Sequence, residues 1–200
     1  MSSALIIQKI VVITAPSGAG KTSIAKYLMQ KFPQLSFSVS ATTRQARTNE
    51  INGKDYYFIS QSEFEKKIKE EDFVEWEMVY EGMYYGTLKS EIDKIWGKQK
   101  VPVLDIDVQG AMRIKKIFPN NTLTLFIAPP SIEVLRERLE KRGTETAVSI
   151  DKRIKKATEE LSYKQQFDHV ILNVDLDKAC NEASGIIATF LQFEYEAPRK

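Results

Sequence analysis

The sequence predicts an α/β fold, a parallel sheet core flanked by helices and interrupted by an inserted mixed-β lobe and a helical lid. Three observations carry that prediction. Short apolar runs at 10–14, 101–107, 123–128 and 169–173 do not alternate with polar residues, as expected of strands buried on both faces. A helical pattern follows each of them, which is the order of parallel strands joined by crossover helices. Residues 37–87 break the rhythm, being rich in Tyr, Thr, Glu and Asn with only short strand-like runs.

In chain order, the strand at 10–14 leads to a helix expected over 22–32, stopped by Pro33. In the insert, strand-like runs fall at 56–60 and 73–77, and Asn52-Gly53 is a tight-turn signal. The strand at 101–107 precedes a helix over 109–117 that ends near Pro119. After the strand at 123–128, Pro129-Pro130 breaks the chain, and Ser131 is a good N-cap for a helix running to Gly143, a suitable residue just past its end. Residues 136–153 are dense in Arg, Lys, Glu and Thr and read as a helical flap. A helix over 150–163, the strand at 169–173 and a helix over 175–193 complete the core, with a frayed tail at 194–200.

At 200 residues, 42% hydrophobic and 28% charged, the chain suits one compact unit or a core with inserted lobes. A net charge of +2 gives no global electrostatic case for nucleic acid or a membrane surface. Cys180 is the only cysteine, which excludes an internal disulfide and fits a reducing compartment. His169 is the only histidine, so multi-histidine metal sites and a histidine-based triad are excluded. No apolar stretch approaches the ~18 residues of a membrane span, and the N-terminus lacks a signal-peptide pattern. A cytoplasmic protein is expected. Nothing in the sequence bears on oligomeric state.

The segment Ala15-Pro16-Ser17-Gly18-Ala19-Gly20-Lys21-Thr22 stands between an apolar strand and a helix. In that context it reads as a phosphate-binding loop (P-loop), with Ala15 in the first glycine position. Its N–H groups can turn inward on anionic oxygens at a helix N-terminus. Lys21 would reach the outer phosphates and the Thr22 hydroxyl would sit on Mg²⁺. Arg138, Arg142 and Arg153 lie on the flap, where guanidinium groups can neutralise a phosphoryl group in transfer. Arg44 and Arg47 open the insert and, with Tyr56 and Tyr85, suggest a second phosphate site. Two phosphate sites and a flap imply transfer between two nucleotides rather than hydrolysis of one. Asp105 closes a strand at its C-terminal end, where parallel sheets bind ligands, and is placed to hold Mg²⁺ directly or through water. Asp107 follows just beyond. Alternation turns Glu75 away from Val74 and Trp76. Its carboxylate could read the paired N–H donors of guanine, or it could simply face solvent from its strand.

These segments together resemble the guanylate kinase family. The resemblance runs from about Lys9 to Phe190 and is carried by the phosphate loop, residues 37–44, 47–57 and 73–76, Tyr84-Tyr85-Gly86-Thr87, residues 104–110 and 126–146. It implies ATP- and Mg²⁺-dependent phosphorylation of GMP by a three-part molecule. The core would be 1–36, 88–130 and 154–200, the GMP-binding lobe 37–87 and the lid 131–153. By matching position, Arg44, Arg47, Tyr56 and Tyr85 would hold the GMP phosphate, with Glu50 orienting an arginine. Ser40, Glu75, Thr87 and Asp107 would read guanine. Residues 15–22, Ser23 and Asn173 would contact ATP, Asn173 at adenine. Lys21, Arg47, Arg138, Arg142 and Arg153 would be the catalytic cations, and Thr22 the nearest protein group to the metal.

Three departures from the family pattern stand out. Ala15 replaces the commoner glycine, the segment 77–82 is one residue longer, and Val174 stands where an acidic residue is common after the asparagine. Two other readings remain at this level, a guanylate-kinase-like binding scaffold without catalysis and a kinase for another nucleoside monophosphate. The intact set of basic residues argues against the first, and Glu75, Ser40 and Asp107 argue against the second.

Overall fold

The computed structural model describes residues 8–141 and 146–192. Arg142, Gly143 and the tail 194–200 lie outside the described residues. The core sheet holds β1 (Ile10–Thr14), β2 (Leu35–Phe37), β7 (Val101–Asp105), β8 (Thr122–Ala128) and β9 (His169–Leu172), in the order β2-β7-β1-β8-β9. All four pairings are parallel, and β1 is central, with Val12 opposite Leu104 on one side and Thr124 on the other. Burial on both faces explains the unbroken apolar runs. Val11 and Ile13 face a cluster with α1 (Lys21–Lys31), α5 (Ile132–Lys141), α6 (Ala147–Ser162) and α7 (Leu176–Gln192). Ile10 and Val12 face the other cluster, with α3 (Lys89–Trp96) and α4 (Val108–Ile117). Cys180 is a buried free thiol within the first cluster.

The second sheet spans the insert as β4-β3-β6-β5, formed by β3 (Ala41–Thr42), β4 (Tyr57–Phe58), β5 (Phe73–Tyr80) and β6 (Met83–Leu88). It is mixed, since β3 pairs parallel with β4 and antiparallel with β6. A helix the sequence reading does not contain, α2 (Gln61–Lys69), packs Phe64 on Phe73 to close a small core of its own. Strand β4 is shorter than the run at 56–60 suggested, and β5 is longer than 73–77. Asn52-Gly53 does form a turn, with Gly53 at φ 76° and its N–H bonded to the Tyr56 carbonyl at 2.8 Å.

The β5–β6 ladder slips twice. Phe73 faces Leu88 but Glu75 faces Thr87, and Met78 faces Tyr84 but Tyr80 faces Met83. Each slip places one extra residue on β5, the geometry of a β-bulge. The second bulge, at Val79, takes up length within the segment 77–82, and Glu77 still pairs with Tyr85.

Candidate active site

The C-terminal ends of β1 and β7 open onto a pocket of about 310 Å³. Its lining comes from the phosphate loop, the second sheet, the β7–α4 connection and α6. From the loop come Ala15, Pro16, Ser17, Gly18, Gly20, Lys21, Thr22 and Ser23, and from the insert Ser40, Tyr56, Glu75 and Tyr85. Asp105, Asp107 and Arg153 complete the set that sequence had singled out. Elements distant in sequence thus converge at the sheet end where parallel folds bind ligands.

The loop owes its shape to Gly18 and Gly20, at φ 95° and 102°. Only glycine enters that region at little cost. Gly20 caps α1 in a left-handed conformation, and its carbonyl accepts from Ser23 and Ile24. A second constraint lies behind it, because a Cβ on Gly20 would collide with the Asn173 amide nitrogen. That amide donates to the Ala19 carbonyl at 2.7 Å. Asn173 is buried and braces the loop from β9 rather than lining the pocket.

Lys21 forms an ion pair with Asp105. Burial opposes its charge, but Asp105 outweighs that effect and holds the ammonium above its ordinary value. Thr22, beside it, faces the pocket. On the opposite wall Glu75 is only 5% exposed, and its Oε1 accepts from the Thr87 hydroxyl at 2.6 Å. Burial pushes its carboxyl up to about 7 despite that hydrogen bond, and nearby Asp107 adds to the rise. A buried acid directed into a cleft is the arrangement expected of a ligand-reading group. The solvent-facing alternative for Glu75 is therefore gone. Asp107 caps α4, accepting from Gly110 N–H at 2.7 Å, and a Cβ on Gly110 would come within 2.6 Å of Glu75 Oε2.

Arg44 and Glu50 meet side by side, with two bonds of 2.6 Å. The bond to Arg44 holds the Glu50 carboxyl down to about 2. The same guanidinium lies over the Tyr56 ring, 5.0 Å from its centre, and Tyr56 meets Tyr85 edge-on. Arg47 is exposed, and its backbone N–H donates to Glu50 at 2.8 Å. Arg44, Arg47, Glu50 and Thr87 thus stand behind or beside the lining rather than in it. On the lid side, Arg153 donates to the Ser17 hydroxyl at 2.7 Å, whereas Arg138 reaches the Asn173 carbonyl at 2.9 Å.

Sequence reasoning missed Val79, Gly86, Ile106, Lys156 and Glu160, all of which line the pocket. Lys156 and Glu160 follow Arg153 by one and two turns of α6, so helical spacing from Arg153 would have found them. Burial pushes the Glu160 carboxyl up to about 7, against the attraction of Lys156 and Lys21. Lys156 also donates to the carbonyl of bulge residue Val79 at 3.5 Å, where helix and second sheet meet.

Residues 7–189 match the family model described as guanylate kinase. The guanylate kinase of Salinibacter ruber is 46% identical over 185 residues, covering 92% of this chain and 97% of that protein. That of Chlorobium chlorochromatii is 44% identical, covering 92% and 96%. Among solved structures, the guanylate kinase of Anaplasma phagocytophilum superposes with a TM-score of 0.76 at 31% identity, over 92% of this chain and 87% of that one.

Proposed function

The chain belongs to the guanylate kinase family and is an ATP:GMP phosphotransferase, and on that premise we propose how the residues of its cleft divide the work. The loop 15–22 with Ser23 holds the ATP phosphates on backbone N–H groups and on Lys21, and Asn173 serves the ATP side by fixing the loop. Ser40, Glu75, Thr87 and Asp107 read the guanine. The carboxylate of Glu75 accepts from the ring N–H and the exocyclic amine together, a pair of donors that adenine does not offer. Arg44, Arg47, Tyr56 and Tyr85 hold the GMP phosphate, and Glu50 keeps the Arg44 fork in place.

No protein nucleophile is required. A GMP phosphate oxygen attacks the γ-phosphorus of ATP, the bond to the β,γ-bridging oxygen breaks, and ADP leaves with that electron pair. The residues act by positioning and charge neutralisation. Lys21 bears on the phosphates from the loop. Arg153 bears on them from the lid beside Ser17, and Arg138 and Arg142 are assigned to the same task. Thr22 and Asp105 offer hard oxygen donors next to Lys21, a set that fits Mg²⁺. Mg²⁺ held there would supply neutralisation of the charge on the transferring phosphates.

Residues 37–87 act as the acceptor lobe and 131–153 as the lid, and closure of both on the core 1–36, 88–130 and 154–200 excludes water. The partners are the two nucleotides, and the setting is the cytoplasm. Among the described residues, no helix is long and apolar enough to cross a membrane.

The observation that carries this assignment is that the phosphate loop and the buried carboxylate of Glu75 share one pocket. Its test is ADP formation from Mg-ATP with GMP, dGMP, AMP, UMP or dTMP supplied singly, for the wild type and Glu75→Gln. Glu75→Gln should lower kcat/KM for GMP by ~10²-fold or more, because donors left unpaired in a buried site are costly, while KM for ATP holds. A uniform loss across both nucleotides would make Glu75 structural.

A further inference from the structure

Helix α4 contributes more to the cleft than the Asp107 at its head. Its first turn sets the Gly110 backbone against the Glu75 carboxylate. One turn on, along the same face, Arg113 reaches back to β5. It donates through Nη1 to the Trp76 carbonyl and through Nη2 to the Glu77 carboxylate. The two residues it grips directly follow Glu75. Just before Glu75 the ladder slips, Phe73 facing Leu88 and Glu75 facing Thr87. A bulge loosens the ladder on that side and re-aims the side chain beside it, so strand pairing alone underdetermines where Glu75 points.

We propose that Arg113 is a positioning residue for acceptor selection: by tying β5 to α4 at Trp76 and Glu77 it sets the place of the Glu75 carboxylate against Asp107 and the Gly110 backbone. It thereby governs discrimination between a purine monophosphate that carries a 2-amino group and one that does not. The proposal rests on the assignment of Glu75 to the guanine edge. Arg113 does not line the pocket, so it acts through Glu75. The fork is essential, because two donors meet two acceptors on adjacent residues, and a lysine would bring one point charge. The guanidinium also favours the ionised form of Glu75, which burial and Asp107 disfavour. With side chains 47% and 29% exposed, the Arg113–Glu77 pair contributes little by charge alone, so the effect is one of geometry and modest in size.

The test compares Arg113→Met, Arg113→Lys and Glu75→Gln in steady-state kinetics with Mg-ATP and either GMP or IMP. These acceptors differ only in the 2-amino group, so the ratio of their kcat/KM values reads the placement of the carboxylate. Arg113→Met should raise KM for GMP by ~3- to 10-fold and lower the GMP:IMP ratio, with kcat and KM for ATP within about twofold. Arg113→Lys should fall between Met and wild type, and Glu75→Gln should lower the ratio further than either. An unchanged ratio in Arg113→Met beside a collapsed one in Glu75→Gln overturns the role of Arg113 and leaves the reading of Glu75 standing. An unchanged ratio in Glu75→Gln overturns that reading and the inference with it. Equal losses with both acceptors and a falling kcat would make Arg113 a general support of the fold, which also overturns the proposal.

Discussion

Gly110 shows how much a single missing side chain can decide. It sits inside a helix, where glycine costs ~1 kcal/mol relative to alanine. The reason it stands there is contact, since an added Cβ would lie 2.6 Å from Glu75 Oε2 and 3.1 Å from the carboxyl carbon. At this point helix backbone packs directly against the Glu75 carboxyl. Gly110→Ala should therefore stabilise α4 locally yet displace Glu75, raising KM for GMP at least tenfold while thermal melting changes little. Measuring both on one preparation separates the two effects. The parity of Glu75 was legible from alternation with Val74 and Trp76. The bulge that aims it was not, because no local residue type marks Val74 as doubled, and the pairing that defines it lies fourteen residues on, at Leu88.

At the scale of elements, α4 meets the second sheet at two points, its Gly110 backbone against Glu75 and Arg113 on Trp76 and Glu77, and Asp107 fixes the start of the helix that carries both. The side chain of Asp107 accepts from Gly110 N–H, the role in which Asp and Asn are nearly equivalent. Asp107→Asn should keep the cap and the melting temperature and raise KM for GMP, since only the charge facing the pocket is lost. Asp107→Ala should in addition lose ~1 kcal/mol of stability, visible as a lower denaturation midpoint. Four of the five core strands, all but β2, were legible to within a few residues because both-face burial leaves an unmistakable apolar run. Helix α2 was hidden by its polarity, with Phe64 its only buried residue. Its start was nonetheless written in Ser60 and Glu63, the spacing of a capping box, and Ser60 does accept from Glu63 N–H at 3.2 Å. Strand β2 is three residues long and owes its existence to pairing with β7, a fact no local window contains.

For the molecule as a whole, the cleft is a source of pH dependence. Burial raises the carboxyls of Glu75 and Glu160 to about 7, above the ordinary 4.5 they regain on unfolding. Folding therefore takes up protons between those values, and stability falls as pH rises through the window and is level above it. Glu50 works the other way, held down to about 2 by Arg44, so its contribution is lost only in acid below 4.5. The double variant Glu75→Gln/Glu160→Gln should match the wild type in melting temperature near pH 5 and exceed it at pH 8. The gap should be of the order of 2 kcal/mol per group, and a gap independent of pH would refute the assignment. Both acids line the pocket, where burial sets the cost of their charged forms. The sequence revealed Glu75 through its strand, whereas its only signal for Glu160 was helical spacing from Arg153 along α6.

The two bulges in β5 have a consequence for how this hairpin can change. In a two-residue repeat, a one-residue insertion inverts the facing of everything beyond it. Here the inversion is cancelled where it arises, since the Val79 bulge absorbs a residue and Glu77 stays opposite Tyr85. The stretch from Glu75 to Met78 is a cassette held in phase from both ends, and the hairpin tip can gain or lose length without turning the Glu75 carboxylate out of the cleft. Tip length and the facing of Glu75 are thus free to vary independently, although eight residues of one strand carry both.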